Sequence, residues 1–227
     1  MICVSLTYVF LICTVVPLVF GLWAQFKVKS TFKRYSQVAT ASGMTGAQAA
    51  EAVLHNSGVS GIGIRPVAGQ LSDHYDPRSK TLNLSEDVGQ AATVAALGVA
   101  AHEAGHAVQD ARGYKPMQLR STLVPAASIG SQLWIFPAFL GLILGSTGLV
   151  NVGLVLFLAV VLFQLVTLPV EFDASKRAIV ALEGGGLLGA EELSGARKVL
   201  QAAALTYIAA LAASIGQLIY FFIASRR

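Results

Sequence analysis

His102-Glu103-Ala104-Gly105-His106 sets two imidazoles four positions apart with a carboxylate beside the first. On a helix, residues four apart share a face, so the two rings can hold one metal ion between them. Glu103 is placed to reach a water on that metal without ligating it. The chemistry this serves is amide hydrolysis: zinc acidifies the water and polarises the carbonyl, and the carboxylate accepts the proton. The chain has four histidines, and two of them stand here. A chance triplet at these offsets is expected in roughly one chain in a hundred of this length. Context must therefore carry the assignment.

A catalytic zinc normally has three protein ligands and one open position. Glu171 leads as the third. It is the first charge after the uncharged stretch 121–170, and a carboxylate at such a place is costly unless paired or metal-bound. The rivals are Asp173, Asp110 and His74. Asp173 lies two residues along the helix from Glu171 and faces roughly the other way. Asp110 is four residues beyond His106, on a similar face, and reads equally as a group behind a ligand or as a solvated helix end. The bland reading of Glu171 is an interfacial acid paired with Lys176 or Arg177.

The elements that position these residues follow from the composition. Of 227 residues, 55% are hydrophobic and only 12% charged, with a mean hydropathy of +0.66. Soluble domains carry about a quarter charged residues. No charge occurs in 1–26, 121–170 or 199–225, and a bilayer core asks for about 20 apolar residues per helix. Four transmembrane helices are expected, at about 4–24, 123–144, 149–170 and 203–224, the middle pair joined by a turn at Gly145-Ser146-Thr147-Gly148. Ten Lys and Arg lie between the first and second spans, four between the third and fourth, and two at the C-terminus. By the positive-inside rule, 25–122 and 171–202 face the cytoplasm and both termini lie outside. Arg120 marks the boundary of the second span. The pI near 9.2 is then a matter of topology, and no nucleic-acid binding is implied. Leu22-Trp23-Ala24 is a poor cleavage site, so the first span reads as a retained anchor. Cys3 and Cys13 both fall inside it, which leaves no disulfide framework and no thiol metal site.

Along the chain, Phe26–Ala39 is expected to continue as an amphipathic helix at the membrane surface. Thr45-Gly46-Ala47-Gln48 is a capping box opening a short helix that stops near Gly58. Gly61–Val67 reads as a strand. Leu71–Tyr75 and Thr81–Leu84, flanking the turn Asp76-Pro77-Arg78-Ser79-Lys80, read as a hairpin. Ser85 is expected to cap a helix that runs to about Arg112 and carries the histidines. Eleven Ala or Gly lie between Gly89 and Ala107, which suits a helix wedged closely among others. Glu171–Leu182 stays helical until Glu183-Gly184-Gly185-Gly186, and Ala190–Gln201 leads into the fourth span. Neither internal repeats nor a disordered tract appear, so 1–227 reads as one integrated domain. The class is mainly α: an integral membrane protein with four transmembrane helices and a small cytoplasmic α+β portion holding a zincin-like active-site helix and a hairpin.

The blocks Leu71-Ser72-Asp73-His74-Tyr75-Asp76-Pro77, Ala100–Gln109 and Leu168-Pro169-Val170-Glu171-Phe172-Asp173-Ala174-Ser175 resemble the YugP-type membrane neutral zinc metallopeptidases over nearly the whole length. That family is similar in turn to the HtpX and CAAX-prenyl-protease group, whose histidine motif is followed by membrane spans and then by Glu-x-x-x-Asp. The resemblance implies one zinc per chain, with Glu171 joining His102 and His106 as ligand and Glu103 as general base. This chain departs at Ser175, which stands where the group has Asp. The resemblance therefore leaves open which residue orients a ligating imidazole, with Asp173 or Ser175 itself as candidates. His74 or Tyr75 can serve as hydrogen-bond donor to the oxyanion, or can be ordinary turn residues. Tyr207 on the fourth span is a further oxyanion candidate, or an interface anchor.

The expected activity is that of a membrane-integral zinc metalloendopeptidase acting at the cytoplasmic face of the cell membrane, with the lipid bilayer and a membrane-associated polypeptide substrate as partners. A site-2-type intramembrane protease pairs its histidines with an Asn-Pro-Asp-Gly or Leu-Asp-Gly setting, and neither occurs here. A transporter or metal-binding scaffold needs no base at position 103.

Overall fold

The computed structural model describes residues 6–226. Cys3 and the start of the first span at Val4 lie outside the described residues. The chain is mainly helical, with a small mixed sheet. In order, α1 (Leu6–Phe10), a π-helical segment (Leu11–Val15) and α2 (Val16–Tyr35) run on as one rod, followed by α3 (Gly46–Asn56). Next come β1 (Gly63–Val67), β2 (His74–Asp76), β3 (Thr81–Ser85), α4 (Glu86–Gly89) and α5 (Val94–Ala111). The C-terminal half is α6 (Lys115–Leu133), α7 (Ile135–Ile143), α8 (Thr147–Gly184) and α9 (Ala190–Ala224). Among the described residues, Leu6–Tyr35, Lys115–Ile143, Thr147–Gly184 and Ala190–Ala224 are long and apolar enough to cross a membrane.

The chain divides into two compact units. One comprises 6–25, 118–168 and 205–226 and is built from the apolar stretches. Its core gathers around Trp134, whose ring lies 4.4 Å from that of Phe157 and 5.2 Å from that of Phe221. Its outward side chains, among them Leu22, Phe136 and Val155, are apolar and exposed, as a lipid-facing surface requires.

The other unit, Phe26–Met117 with Pro169–Ala204, holds the sheet and α3 to α5. The helix after the first span ends at Tyr35, short of Ala39, which pairs with Thr93 in an isolated bridge. Thr45 and Gln48 form the reciprocal capping box that opens α3. The hairpin pairs β2 antiparallel to β3, with Tyr75 opposite Leu82. Asp76 sets its turn: one carboxylate oxygen accepts from the Arg78 N–H at 2.9 Å and the other from the Ser79 hydroxyl at 2.6 Å. β1 lies on the far side of β3 and runs parallel to it, giving the order β1-β3-β2.

A further expectation is overturned. Ser85 does not cap a helix that runs to Arg112. Its N–H and hydroxyl both bond to the Asp73 carboxylate, at 2.7 and 3.0 Å, so its side chain caps nothing. The helix it precedes ends at Gly89, because the following strand-like stretch is held by bonds from Thr40 N–H to Ala92 O (3.1 Å) and from Val94 N–H to Val38 O (2.9 Å). Thr93 is the true cap of α5, its hydroxyl accepting from the Ala96 N–H at 3.3 Å.

Candidate metal centre

The small residues of α5 exist for close approach. A Cβ at Gly98 would meet the Ala196 Cβ at 3.3 Å, and one at Gly105 would meet the Ala174 carbonyl oxygen at 2.8 Å. These two positions are seven apart and so lie on one face. Through them α5 comes against α8 and α9 at nearly backbone distance. His102 and His106, one turn apart, then meet Glu171 on α8.

His102 Nε2 lies 3.2 Å from Glu171 Oε2, and His106 Nε2 lies 3.5 Å from the same oxygen. Among the described residues, the donor atoms of His102, His106 and Glu171 form a group within 4.8 Å of one another. Each ring is held from behind. The Ser175 Oγ lies 3.1 Å from His102 Nδ1, and the Gln109 Oε1 lies 3.0 Å from His106 Nδ1. The Gln109 amide has a defined orientation, because its Nε2 donates at 2.8 Å both to the Val170 carbonyl and to the Asp173 carboxylate. Its oxygen must therefore accept, which puts the proton of a neutral His106 on Nδ1 and leaves Nε2 as a lone pair. Two ring nitrogens and a carboxylate oxygen thus converge within a mostly buried space. Such a set of acceptors calls for a shared proton or a cation, and two imidazoles with one carboxylate are a donor set that suits zinc. The residues fit the metal.

The electrostatics agree. Burial alone would pull His106 down, but its hydrogen bond to Glu171 and the charges of Glu103 and Glu171 leave it raised above the usual histidine value. Glu103 is buried, and desolvation pushes its carboxyl up despite the opposing His102 and His106. One Glu103 oxygen accepts from the Tyr75 backbone N–H at 3.1 Å, which ties the carboxylate to the edge strand β2.

The other candidates fall elsewhere. The Asp173 carboxylate receives Gln109 Nε2 and Arg177 Nε, the latter at 2.5 Å, so it stands behind His106 through Gln109. Asp110 accepts the Tyr75 hydroxyl at 2.6 Å and pairs with Lys80 at 2.5 Å. The Tyr75 phenol is thereby committed, its pKa pushed up by burial and by Asp110. His74 is exposed, its ring lying 2.8 Å from the Ser72 carbonyl and 3.2 Å from the Asn83 amide. Tyr207 belongs to the other compact unit. Gln109 is the residue that sequence reasoning passed over. Its spacing of three from His106 on an otherwise apolar helix face was the available signal.

Residues 9–226 match the family described as "Putative neutral zinc metallopeptidase", and the chain belongs to that family. Over 212 residues, 93% of this chain and 94% of the relative, it is 42% identical to the "Putative membrane protease YugP" of Bacillus subtilis (strain 168). No solved structure matches the chain significantly. Four membrane-length helices and a relative described as a membrane protease together support a multi-pass membrane protein.

Proposed function

We propose that this chain is a membrane-integral zinc metalloendopeptidase that cleaves membrane or membrane-proximal polypeptides at the cytoplasmic face. The observation that carries the reading is the convergence of His102, His106 and Glu171 beside a buried Glu103. Held by the two Nε2 atoms and the Glu171 carboxylate, zinc would supply a Lewis acid that acidifies water and polarises a carbonyl. Glu103 takes the proton of the attacking water and returns it to the leaving amine nitrogen as the C–N bond breaks. A carboxyl raised by burial suits both halves of that task. Gln109 and Ser175 keep the imidazoles turned so that their Nε2 lone pairs face inward. An extended substrate segment pairs by its backbone along β2, the edge strand that already touches Glu103 through Tyr75. The orientation rests on the fourteen Lys and Arg of 25–122 and 171–202 against two at the C-terminus.

Glu103→Gln is the test. Comparing peptide termini in wild-type and variant membranes by quantitative proteomics should show cleavage products lost in the variant. Turnover of the sensitive peptides should fall by about two to four orders of magnitude, with the zinc content of the purified chain unchanged. Cleavage that persists in the variant, in preparations free of other proteases, refutes the role.

A further inference from the structure

Across α5 from the two histidines, Val108 and Arg112 share a face turned away from the ligand side. They line a cavity of about 590 Å³ together with Asn56, Ser57, Arg177 and Val180, all within one compact unit. Its polar side chains are two guanidiniums, an amide and a hydroxyl, and no acid lines it. Among the described residues, no carboxylate pairs with Arg112. Arg177 commits its Nε to Asp173, and its guanidinium carbon lies over the Tyr114 ring, 5.7 Å from the centroid. Its two terminal amino groups are not used by that pairing.

We propose that this cavity binds a phosphoryl group carried on a larger body. Guanidiniums bind phosphate oxygens through paired, charge-assisted hydrogen bonds, and Arg112 and Arg177 bring two such forks to one opening. The Asn56 amide and Ser57 hydroxyl add neutral donors that reach further oxygens. The volume exceeds what a bare phosphate fills, and Val108 and Val180 offer apolar contact to whatever the phosphate hangs from. Asp173 offsets Arg177 alone, so Arg112 brings to the cavity a positive charge that no acid among the described residues balances, and an anion bound there removes that cost. The assignment does not depend on the peptidase reading, because neither arginine belongs to the ligand group.

The test uses the full chain in nanodiscs and inorganic phosphate as probe, with chloride at matched ionic strength as baseline. Phosphate should raise the melting temperature of the wild type in a saturable way. Arg112→Gln should weaken that apparent affinity by about tenfold. Asn56→Asp, which sets a negative charge in the lining and leaves both arginines intact, should abolish the response. Nanodiscs of phosphatidylglycerol and of phosphatidylcholine separate the sources. A phosphate response lost only in the anionic lipid, and restored to it by neither variant, assigns the occupant as a lipid headgroup. A response kept in both lipids assigns a soluble phosphorylated molecule. No phosphate-specific rise in phosphatidylcholine discs, or a rise that both variants retain in full, overturns the proposal.

Discussion

In the membrane unit, a Cβ at Gly153 would sit 2.6 Å from the Ala138 Cβ; in the other unit, one at Gly105 would sit 2.8 Å from the Ala174 carbonyl oxygen. The same device brings helices together in both, but the surroundings differ. The stretches 1–25, 118–168 and 205–227 contain three arginines and no acid, whereas the rest of the chain holds every Asp and Glu and thirteen of the sixteen Lys and Arg. Around Gly153 the close approach sets only how well apolar side chains interlock. Around Gly105 it also sets the separation between two imidazoles and a carboxylate. Packing precision in one unit stabilises the bundle; in the other it determines whether donor atoms can share an ion.

The sharpest way to break this comparison is to place the same methyl group in each unit. Gly105→Ala and Gly153→Ala should each cost about 1–3 kcal/mol through overpacking, read as lowered melting temperature. Only Gly105→Ala should also abolish tight zinc retention, measured by competition with a chelator, because pushing α5 off α8 separates the histidines from Glu171. Equal zinc affinity in the two variants would show that donor spacing does not depend on that contact.

A second pair sharpens it with glutamines. Gln109 is fully buried with both ends of its amide bonded, whereas Gln164, in the membrane unit, has a buried Oε1 without a partner. Gln109→Leu removes the amide that ties the His106 ring to the Val170 carbonyl and to Asp173, so zinc affinity should fall about 10–100-fold. Gln164→Leu removes a polar atom that gains nothing from burial and should be neutral or stabilising by up to about 1 kcal/mol. A loss of zinc affinity in Gln164→Leu, or none in Gln109→Leu, would remove the distinction between the two units. Ser175→Ala should weaken zinc less than Gln109→Leu, since Ser175 is half-buried and water can replace its hydroxyl.

What could be read from the chain alone divides along the same line. The spans were legible because bilayer burial excludes charge over long stretches, and the gaps in charge mark them directly. Thr45 with Gln48, and Asp76 ahead of Pro77, were legible because capping and turn chemistry act within a few residues. Ser85 misled for the opposite reason: Asp73, twelve residues earlier, takes the hydroxyl that local rules assign to a cap. The parallel pairing of β1 with β3 leaves no local trace, as a crossover is defined by what it returns to. His102, His106 and Glu171 declared themselves by residue type, whereas Gln109 is a neutral amide whose role exists only through the Val170 carbonyl, Asp173 and His106 around it.

The smallest expected effect concerns pH. Glu103 and His106 both have folded-state pKa values raised above 4.5 and 6.5 respectively, the first by burial and the second by its acidic neighbours against burial. In the zinc-free chain the folded state therefore holds more protons than the unfolded one over that range. Stability from these groups is present at low pH and is lost as pH rises through the folded values. The melting temperature of the zinc-free chain should accordingly decline as pH is raised past 6.5. Asp76 acts in the opposite sense but only below 3.8, and Tyr75, raised like Glu103 and His106, acts in the same sense and only above 10, so neither masks the trend. Glu103→Gln should flatten the decline in part, since it removes one of the two groups that produce it. The membrane unit has no acid to contribute, so a stability that stays level or climbs across this window would mean that the buried Glu103 and His106 do not retain protons on folding.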